Sequence, residues 1–297
     1  MTKQRTLGQF RVSPLGLGAM PFSMNNDGTT TPREQGIATV HAALDAGVRL
    51  IDTADIYAPS WDAVGHNEEI VAEALAAWSG DRSEVVVATK GGITRHEPDG
   101  WGRDASPAHL RRAAEASATR LGVDTIDLYY LHRPDRTRVY ADAIEALAQL
   151  KADGLIAEIG ISNANVEEID IALEVLGEGG LAAVQNEFSP KFNHTSLSEL
   201  EHCGEHGIAF LPWSPLGGTG GGAAAVGERF AAIAQVADAH GVSPQQVTLA
   251  WELALGDHVI PIPGASRPAS ITDSALAMEL DLTQDEVERI SAAVLQR

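Results

Sequence analysis

Four side chains at or just beyond the ends of three apolar runs have the chemistry to hand a proton to a carbonyl oxygen. Asp52 closes RLID (49–52), and Tyr57 follows it within IDTADIY. Lys90 closes VVVATK (85–90), and His132 closes IDLYYLH (126–132). A phenol with a pKa near 10 is a poor acid at neutral pH. An ammonium beside it stabilises the phenolate and lowers that pKa, and a carboxylate keeps the ammonium charged and oriented. An imidazole at the same place can bind and polarise the carbonyl. Such a site donates a proton and needs a hydride donor to complete a reduction. Taken singly, Asp52 reads as a cap, Lys90 as a snorkelling side chain, His132 as a structural histidine and Tyr57 as packing. Taken together these readings weaken, because charges at a buried strand end are costly unless paired. The chain has only four lysines, Lys3, Lys90, Lys151 and Lys191, and one of them ends its most apolar run.

Other chemistries fit less well. Lys90 at a strand end could form a Schiff base, which is the main enzymatic alternative. A metal-dependent hydrolase wants several ligands converging on the strand ends, and Asp52 with His132 are too few. His202-Cys203-Gly204-Glu205-His206 matches the HxxEH zinc pattern. It falls at the end of an outward-facing helix that Gly207 should stop, where the helix dipole alone favours histidine, so no metal is expected. Trp61 and Trp101 fall in loops after the second and third strands, as candidates to line a substrate pocket or as ordinary loop packing.

The elements that must position these groups alternate strictly. Apolar runs stand at 15–20, 49–52, 85–90, 126–132, 156–162, 182–187, 209–214 and 259–264. Near-continuous apolar strands suit a parallel sheet covered on both faces. Between them lie helices: HNEEIVAEALAAW (66–78) puts Ile70, Val71, Ala74, Leu75 and Trp78 on one stripe. Ser106-Pro107 opens another helix and Gly122 stops it. Ser243 to Gln246 reads as a capping box before Val247, Ala250, Trp251 and Ala254, and a last helical segment is expected over 285–296. Eight βα units predict either a closed barrel or a large open sheet. The first turn, GLGAMP, lacks the third glycine of an open-sheet phosphate fingerprint. The expected fold is therefore a single α/β domain over 1–297, a (β/α)₈ TIM barrel with a short hairpin over 7–14 closing its bottom. In such barrels catalytic residues come from the C-terminal strand ends, where the four candidates lie. The Gly-rich segment 217–227 reads as a mobile flap or a disordered loop and is not a P-loop.

Composition narrows the partners. A formal net charge of -20 disfavours nucleic acid and anionic membrane surfaces. Cys203 is the sole cysteine, so no intrachain disulfide forms, as suits a reducing compartment. The N-terminus has no apolar signal region, and no run of about 18 apolar residues suggests a membrane span. A cytoplasmic enzyme is expected.

Across nearly the whole chain, from GLGAM (16–20) to IPGASR (262–267), the sequence resembles the aldo-keto reductase family. The resemblance also rests on LHRPD (131–135), GISN (160–163), QNEFSP (185–190) and WSPLGG (213–218). It implies a catalytic tetrad of Asp52, Tyr57, Lys90 and His132, with Asp52 also on the cofactor side. It implies that Ser162, Asn163 and Gln185 bind a nicotinamide carboxamide and that Trp213 stacks on the ring. Ser214, Pro215, Leu216 and Gly218 would follow the pyrophosphate, and Met20 and Gly264 would line the cofactor channel. Ser266 and Arg267 would hold an adenosine 2′-phosphate, which favours NADPH/NADP+ over NADH. The resemblance implies reduction of a small aldehyde or ketone, with an NADPH-binding regulatory subunit lacking turnover as the non-enzymatic alternative. The chain departs from the family pattern at Ala58-Pro59, Ser270 and Asp273-Ser274, which bears on cofactor affinity and on the preference for NADPH. Few residues follow the last helix, so an open pocket of broad selectivity is expected.

Overall fold

Short stretches of buried aliphatic residues alternate with helices that turn one apolar stripe inward, and this alternation closes into a parallel barrel. The computed structural model describes residues 3–25, 29–98, 100–194, 196–218 and 221–295. A hairpin of β1 (Arg5–Leu7) and β2 (Phe10–Val12) comes first, followed by β3 (Leu17–Gly18), α1 (Arg33–Asp45), β4 (Leu50–Asp52), α2 (His66–Ala77) and β5 (Val86–Gly91). A second hairpin, β6 (Ile93–His96) and β7 (Gly100–Arg103), extends beyond β5. Next come α3 (Pro107–Leu121), β8 (Ile126–Leu131), α4 (Tyr140–Ala152), β9 (Ile156–Ser162), α5 (Val166–Leu176) and β10 (Ala183–Glu187). The chain continues through α6 (Leu197–Glu205), β11 (Ala209–Trp213), α7 (Gly222–Arg229), α8 (Ala231–His240), α9 (Pro244–Ala254), α10 (Pro268–Ala275) and α11 (Gln284–Val294).

Strands β3, β4, β5, β8, β9, β10 and β11 neighbour one another in chain order, all parallel. Residues 259–264 supply the eighth position, with Val259 bridging to Phe210, Ile262 to Trp213 and Gly264 to Gly18. The N–H groups of Ile260 and Ile262 donate to the carbonyls of Phe210 and Pro212. On the other side the carbonyls of Pro261 and Pro263 accept from the N–H groups of Gly16 and Gly18. Proline returns no N–H, so this seam is half a ladder. The regular part of the first strand is correspondingly short, Leu17–Gly18, against the 15–20 read from sequence.

Leu50, Val86, Ala88, Leu128, Tyr130, Ala183, Ala209, Leu211 and Ile260 fill the barrel, and Leu7 and Val12 of the hairpin join them. The hairpin thus plugs the barrel bottom, the end away from the C-terminal strand ends. The helix signals hold at α3, where Ser106 accepts from the His109 N–H and Gly122 is left-handed. They differ at α9. Ser243 accepts from the Gln246 N–H, but the Gln246 side chain donates to Asp273 Oδ1 at 2.6 Å instead of completing a capping box. Ala254, expected on the buried stripe, is exposed, while Glu252 is buried. The Gly-rich 217–227 stretch is neither wholly flap nor wholly loop. Its second half enters α7, and Thr219 and Gly220 lie outside the described residues. Among the described residues no helix is long and apolar enough to cross a membrane.

Candidate active site

Parallel register delivers three of the four candidate groups to one rim. Asp52 ends β4, Lys90 is the penultimate residue of β5, and His132 follows β8 directly. Tyr57 is set by the turn beyond β4, where its N–H donates to the Ala54 carbonyl and its own carbonyl accepts from the Asn67 N–H. The structure brings all four together. Lys90 Nζ donates to Asp52 Oδ1 at 2.5 Å, to the Thr53 carbonyl at 2.9 Å and to Tyr57 Oη at 3.2 Å. The three N–H donors of the ammonium are therefore all used. Gln185 Nε2 donates to the other Asp52 oxygen at 2.7 Å. His132 meets Tyr57 edge to face, with ring centroids 5.6 Å apart. Tyr130 packs below as a floor, and this requires a glycine opposite. A Cβ on Gly160 would lie 2.3 Å from the Tyr130 ring.

A second polar layer holds the Tyr57 turn, and the sequence reading missed it. HNEE (66–69) looks like the wet face of a helix, yet Asn67 and Glu68 are both fully buried. Asn67 accepts from the Thr53 hydroxyl at 2.6 Å and donates to the Ala19 carbonyl and Ser23 Oγ at 2.9 and 2.8 Å. Glu68 accepts from the Thr89 hydroxyl at 2.6 Å and pairs with Arg120 at 2.5 Å. Gly65 makes room for that arginine, since a Cβ there would meet Arg120 Nε at 2.2 Å. The usable signal was positional, because these residues open the first α-helix after the tyrosine turn.

Burial sets the protonation states. It opposes charge on Lys90, but the attraction of Asp52 and Tyr57 outweighs it and raises the lysine pKa, so the ammonium persists. A Schiff base needs a neutral amine, so this geometry speaks against one. Burial raises the Asp52 pKa against the pull of Lys90. Burial also lifts the Tyr57 pKa above its ordinary value, with Lys90 only partly offsetting it. This corrects the expectation of a net lowering: the phenol stays protonated, as an acid should. His132 is pushed well below the usual imidazole range, by burial first and then by Lys90 and Arg133, and is neutral.

These groups open on a cleft of about 1070 Å³ at the strand C-termini. Its wall contains Met20, Asp52, Tyr57, His132, Ser162, Asn163, Gln185, Trp213, Ser214, Pro215, Leu216, Gly218 and Gly264. Trp101 lines it too, 52% exposed and stacked under Arg95. Trp61 does not. It sits on an exposed turn whose Ser60 hydroxyl bonds Asp62, and it faces solvent. Lys90 lies fully buried beneath the cleft. Ser266 and Arg267 lie just past the wall. The Ser266 carbonyl accepts from Gln35, and Arg267 stands exposed before α10. Asp273 ties α10 to α9 by accepting from Ser243 and Gln246.

Several features suit a bound dinucleotide. Asn163 and Ser214 are the two non-glycine residues with positive φ among those described, 58° and 55°, and both lie on the wall. Such strain clusters at ligand sites. Trp213 Nε1 and His132 Nδ1 are buried without a protein partner among the described residues. The N–H groups of Leu216 and Gly218 donate to no protein group among the described residues. Lys191, not singled out for a role from sequence, lines the same stretch against Gly217. The HxxEH residues His202, Glu205 and His206 do converge, with potential ligand atoms within 4.8 Å of one another. They lie at the end of α6, which leads into the start of β11, and so at the opposite end of the barrel from the cleft.

The sequence model of the Aldo/keto reductase family matches residues 14–294. The chain is similar to a 6-dehydroglucose reductase of Novosphingobium aromaticivorans, at 35% identity over 91% of this chain and 87% of that protein. It is also similar to a pyridoxine 4-dehydrogenase of Escherichia coli, at 30% identity over 94% of each. Among solved structures, an aldo/keto reductase from Klebsiella pneumoniae in complex with NADP and acetate superposes with a TM-score of 0.81 at 26% identity, covering 100% of this chain and 97% of that one.

Proposed function

The chain belongs to the aldo/keto reductase family of oxidoreductases, and from that premise we propose that it reduces a small aldehyde or ketone to the alcohol with NADPH, using Tyr57 as the acid. The observation that carries this reading is the Asp52-Lys90-Tyr57 chain beside neutral His132, at the floor of a cleft with the features of a dinucleotide site. When bound, NADPH supplies a hydride to the carbonyl carbon. Tyr57 gives its proton to the carbonyl oxygen, so that hydride and proton together yield the alcohol. Lys90 stabilises the phenolate left behind, and Asp52 keeps Lys90 charged and aimed. His132 orients the carbonyl through a neutral ring nitrogen.

The residues that would hold the cofactor follow the wall. Ser162, Asn163 and Gln185 hold the carboxamide, and Trp213 covers the ring. Ser214, Pro215, Leu216 and Gly218 receive the pyrophosphate, with Lys191 adding charge. Met20 and Gly264 flank the channel, and Ser266 with Arg267 takes the 2′-phosphate beyond it. The relatives named above support a small polar carbonyl compound or its alcohol as substrate.

The test is NADPH oxidation with a panel of aldehydes, diketones and pyridoxal, run beside Tyr57→Phe. The variant should bind NADPH as the parent does and lose about a thousandfold in turnover. Full activity in the variant would sink the mechanism. Tight NADPH binding without turnover by the parent would favour a regulatory subunit.

A further inference from the structure

The cleft carries positive charge that neither the tetrad nor the cofactor contacts account for. Arg133, next to His132, lines it, half-buried. Among the described residues it forms no ion pair and no hydrogen bond, unlike its neighbours in the same loop. Arg136 pairs with Glu168 at 3.3 Å, and Arg138 pairs with Asp135 and Asp104 at 3.3 and 3.4 Å. Arg103, at the end of β7, lines the cleft as well; it donates to the Pro134 carbonyl at 3.1 Å and has no carboxylate partner among the described residues.

The acids on this wall do not fill the gap. Asp135 already accepts from the Thr137 hydroxyl, the Thr137 N–H and the Ala105 N–H, besides pairing with Arg138. Glu187 interacts with Arg133 at a distance but forms no ion pair with it, and Lys191 and His194 share that carboxylate's field. Burial lowers the Arg133 pKa, and the nearby Arg103 adds to the effect. A partly desolvated guanidinium beside a second cation is unfavourable until an anion joins it. In a chain of net charge -20, a locally cationic mouth is also what draws an anion past an otherwise repelling surface.

We propose that Arg133, assisted by Arg103, is the subsite for an oxyanion carried by the substrate, so that the preferred substrates are carbonyl compounds bearing a carboxylate. The planar guanidinium fork matches a carboxylate in two parallel hydrogen bonds, and it matches a phosphate as well. Because Arg133 directly follows His132, the anion binds on the same wall as the carbonyl that meets His132 and Tyr57. This inference rests on the reductase reading of the cleft.

The experiment compares 4-carboxybenzaldehyde with its neutral methyl ester as substrates for the parent, Arg133→Ala, Arg133→Lys and Arg103→Ala. The parent should favour the carboxylate in kcat/KM. Arg133→Ala should cut the carboxylate-to-ester ratio by at least about tenfold, mostly through KM. Arg133→Lys should recover part of it, Arg103→Ala should lose less, and added salt should lower the parent's ratio. Binding is read separately by quenching of tryptophan fluorescence with benzoate, benzamide and phenyl phosphate. Benzoate should bind better than benzamide, and Arg133→Ala should abolish the difference; tighter binding of phenyl phosphate would identify the oxyanion as a phosphate. Equal loss on both aldehydes, or a rise confined to the KM for NADPH, would overturn the proposal. Because the binding measurement needs no turnover, a subsite that binds benzoate in a protein that reduces neither aldehyde would condemn the reductase reading and leave the anion site standing.

Discussion

Lys90 and Glu252 are both 0% exposed, and the molecule treats them in opposite ways. At the barrel rim, Lys90 uses its three N–H donors on Asp52, Thr53 and Tyr57, and Asp52 receives a further bond from Gln185. On α9, both carboxyl oxygens of Glu252 are buried with no partner among the described residues, and burial alone holds its pKa well above the usual range. One charge is solvated by the protein; the other is tolerated only as a neutral acid. The contrast teaches that burial by itself does not mark a functional group. At the rim, the fully buried ion is one whose every donor has been matched.

The largest effect should follow from breaking the matched side. Lys90→Met removes the cation and leaves the Asp52 carboxylate buried with Gln185 alone. Removing one partner of a buried pair costs about 3–5 kcal/mol, and turnover should fall at least as far as in Tyr57→Phe. Denaturant unfolding checks the first quantity and NADPH oxidation the second. An unchanged midpoint would mean that the rim network contributes nothing to folding, and the comparison with α9 would fail.

The unmatched side should answer with the opposite sign. Glu252→Leu replaces an unpartnered buried carboxyl with an apolar side chain of similar size, and should stabilise the protein by at least about 2 kcal/mol at neutral pH. Turnover should not move, since α9 lies on the outside of the barrel, away from the cleft. A lower unfolding midpoint would show that the carboxyl has a role that its surroundings do not reveal.

The same contrast explains what could be read from the sequence. The tetrad was legible because each member lies at or just beyond the end of an apolar run, and a parallel barrel sends such ends to one rim. The closing strand was legible despite Pro261 and Pro263, because its hydrophobic content survives the loss of two N–H groups. The sequence leaves Trp61 open between pocket and loop packing because a loop residue's direction is set by turn bonds such as Ser60 to Asp62, which no periodicity reports. Asn67, Glu68 and Glu252 were hidden for a common reason. Polar letters on a helix are read as its wet face, and only the packing of α2 and α9 shows them turned inward. Arg133 stood within the LHRPD motif, yet its lack of a partner is a property of three-dimensional space.

The most discriminating test, and the one whose effect is smallest at acid pH, is Glu252→Gln, which keeps a polar, unpartnered side chain but removes its ionisation. Burial raises the folded-state pKa of Glu252. Above the unfolded-state value, near 4.3, the unfolded chain has released a proton that the folded one still holds. The native state therefore binds more protons, and its stability must decline as pH rises, by up to about 1.4 kcal/mol per pH unit until the folded-state pKa is reached. This contribution is complete below the unfolded pKa and is lost on the alkaline side. Asp52 and Asp55, also raised by burial, add slopes of the same sign, so the informative quantity is the difference between parent and variant. Below the unfolded pKa, Glu252→Gln should change stability by less than about 1 kcal/mol, since one neutral polar group replaces another. As pH rises the variant should become progressively the more stable of the two. Parallel stability curves across the whole range would mean that Glu252 ionises alike in both states, and the distinction between a matched and an unmatched buried charge would then have to be abandoned for α9.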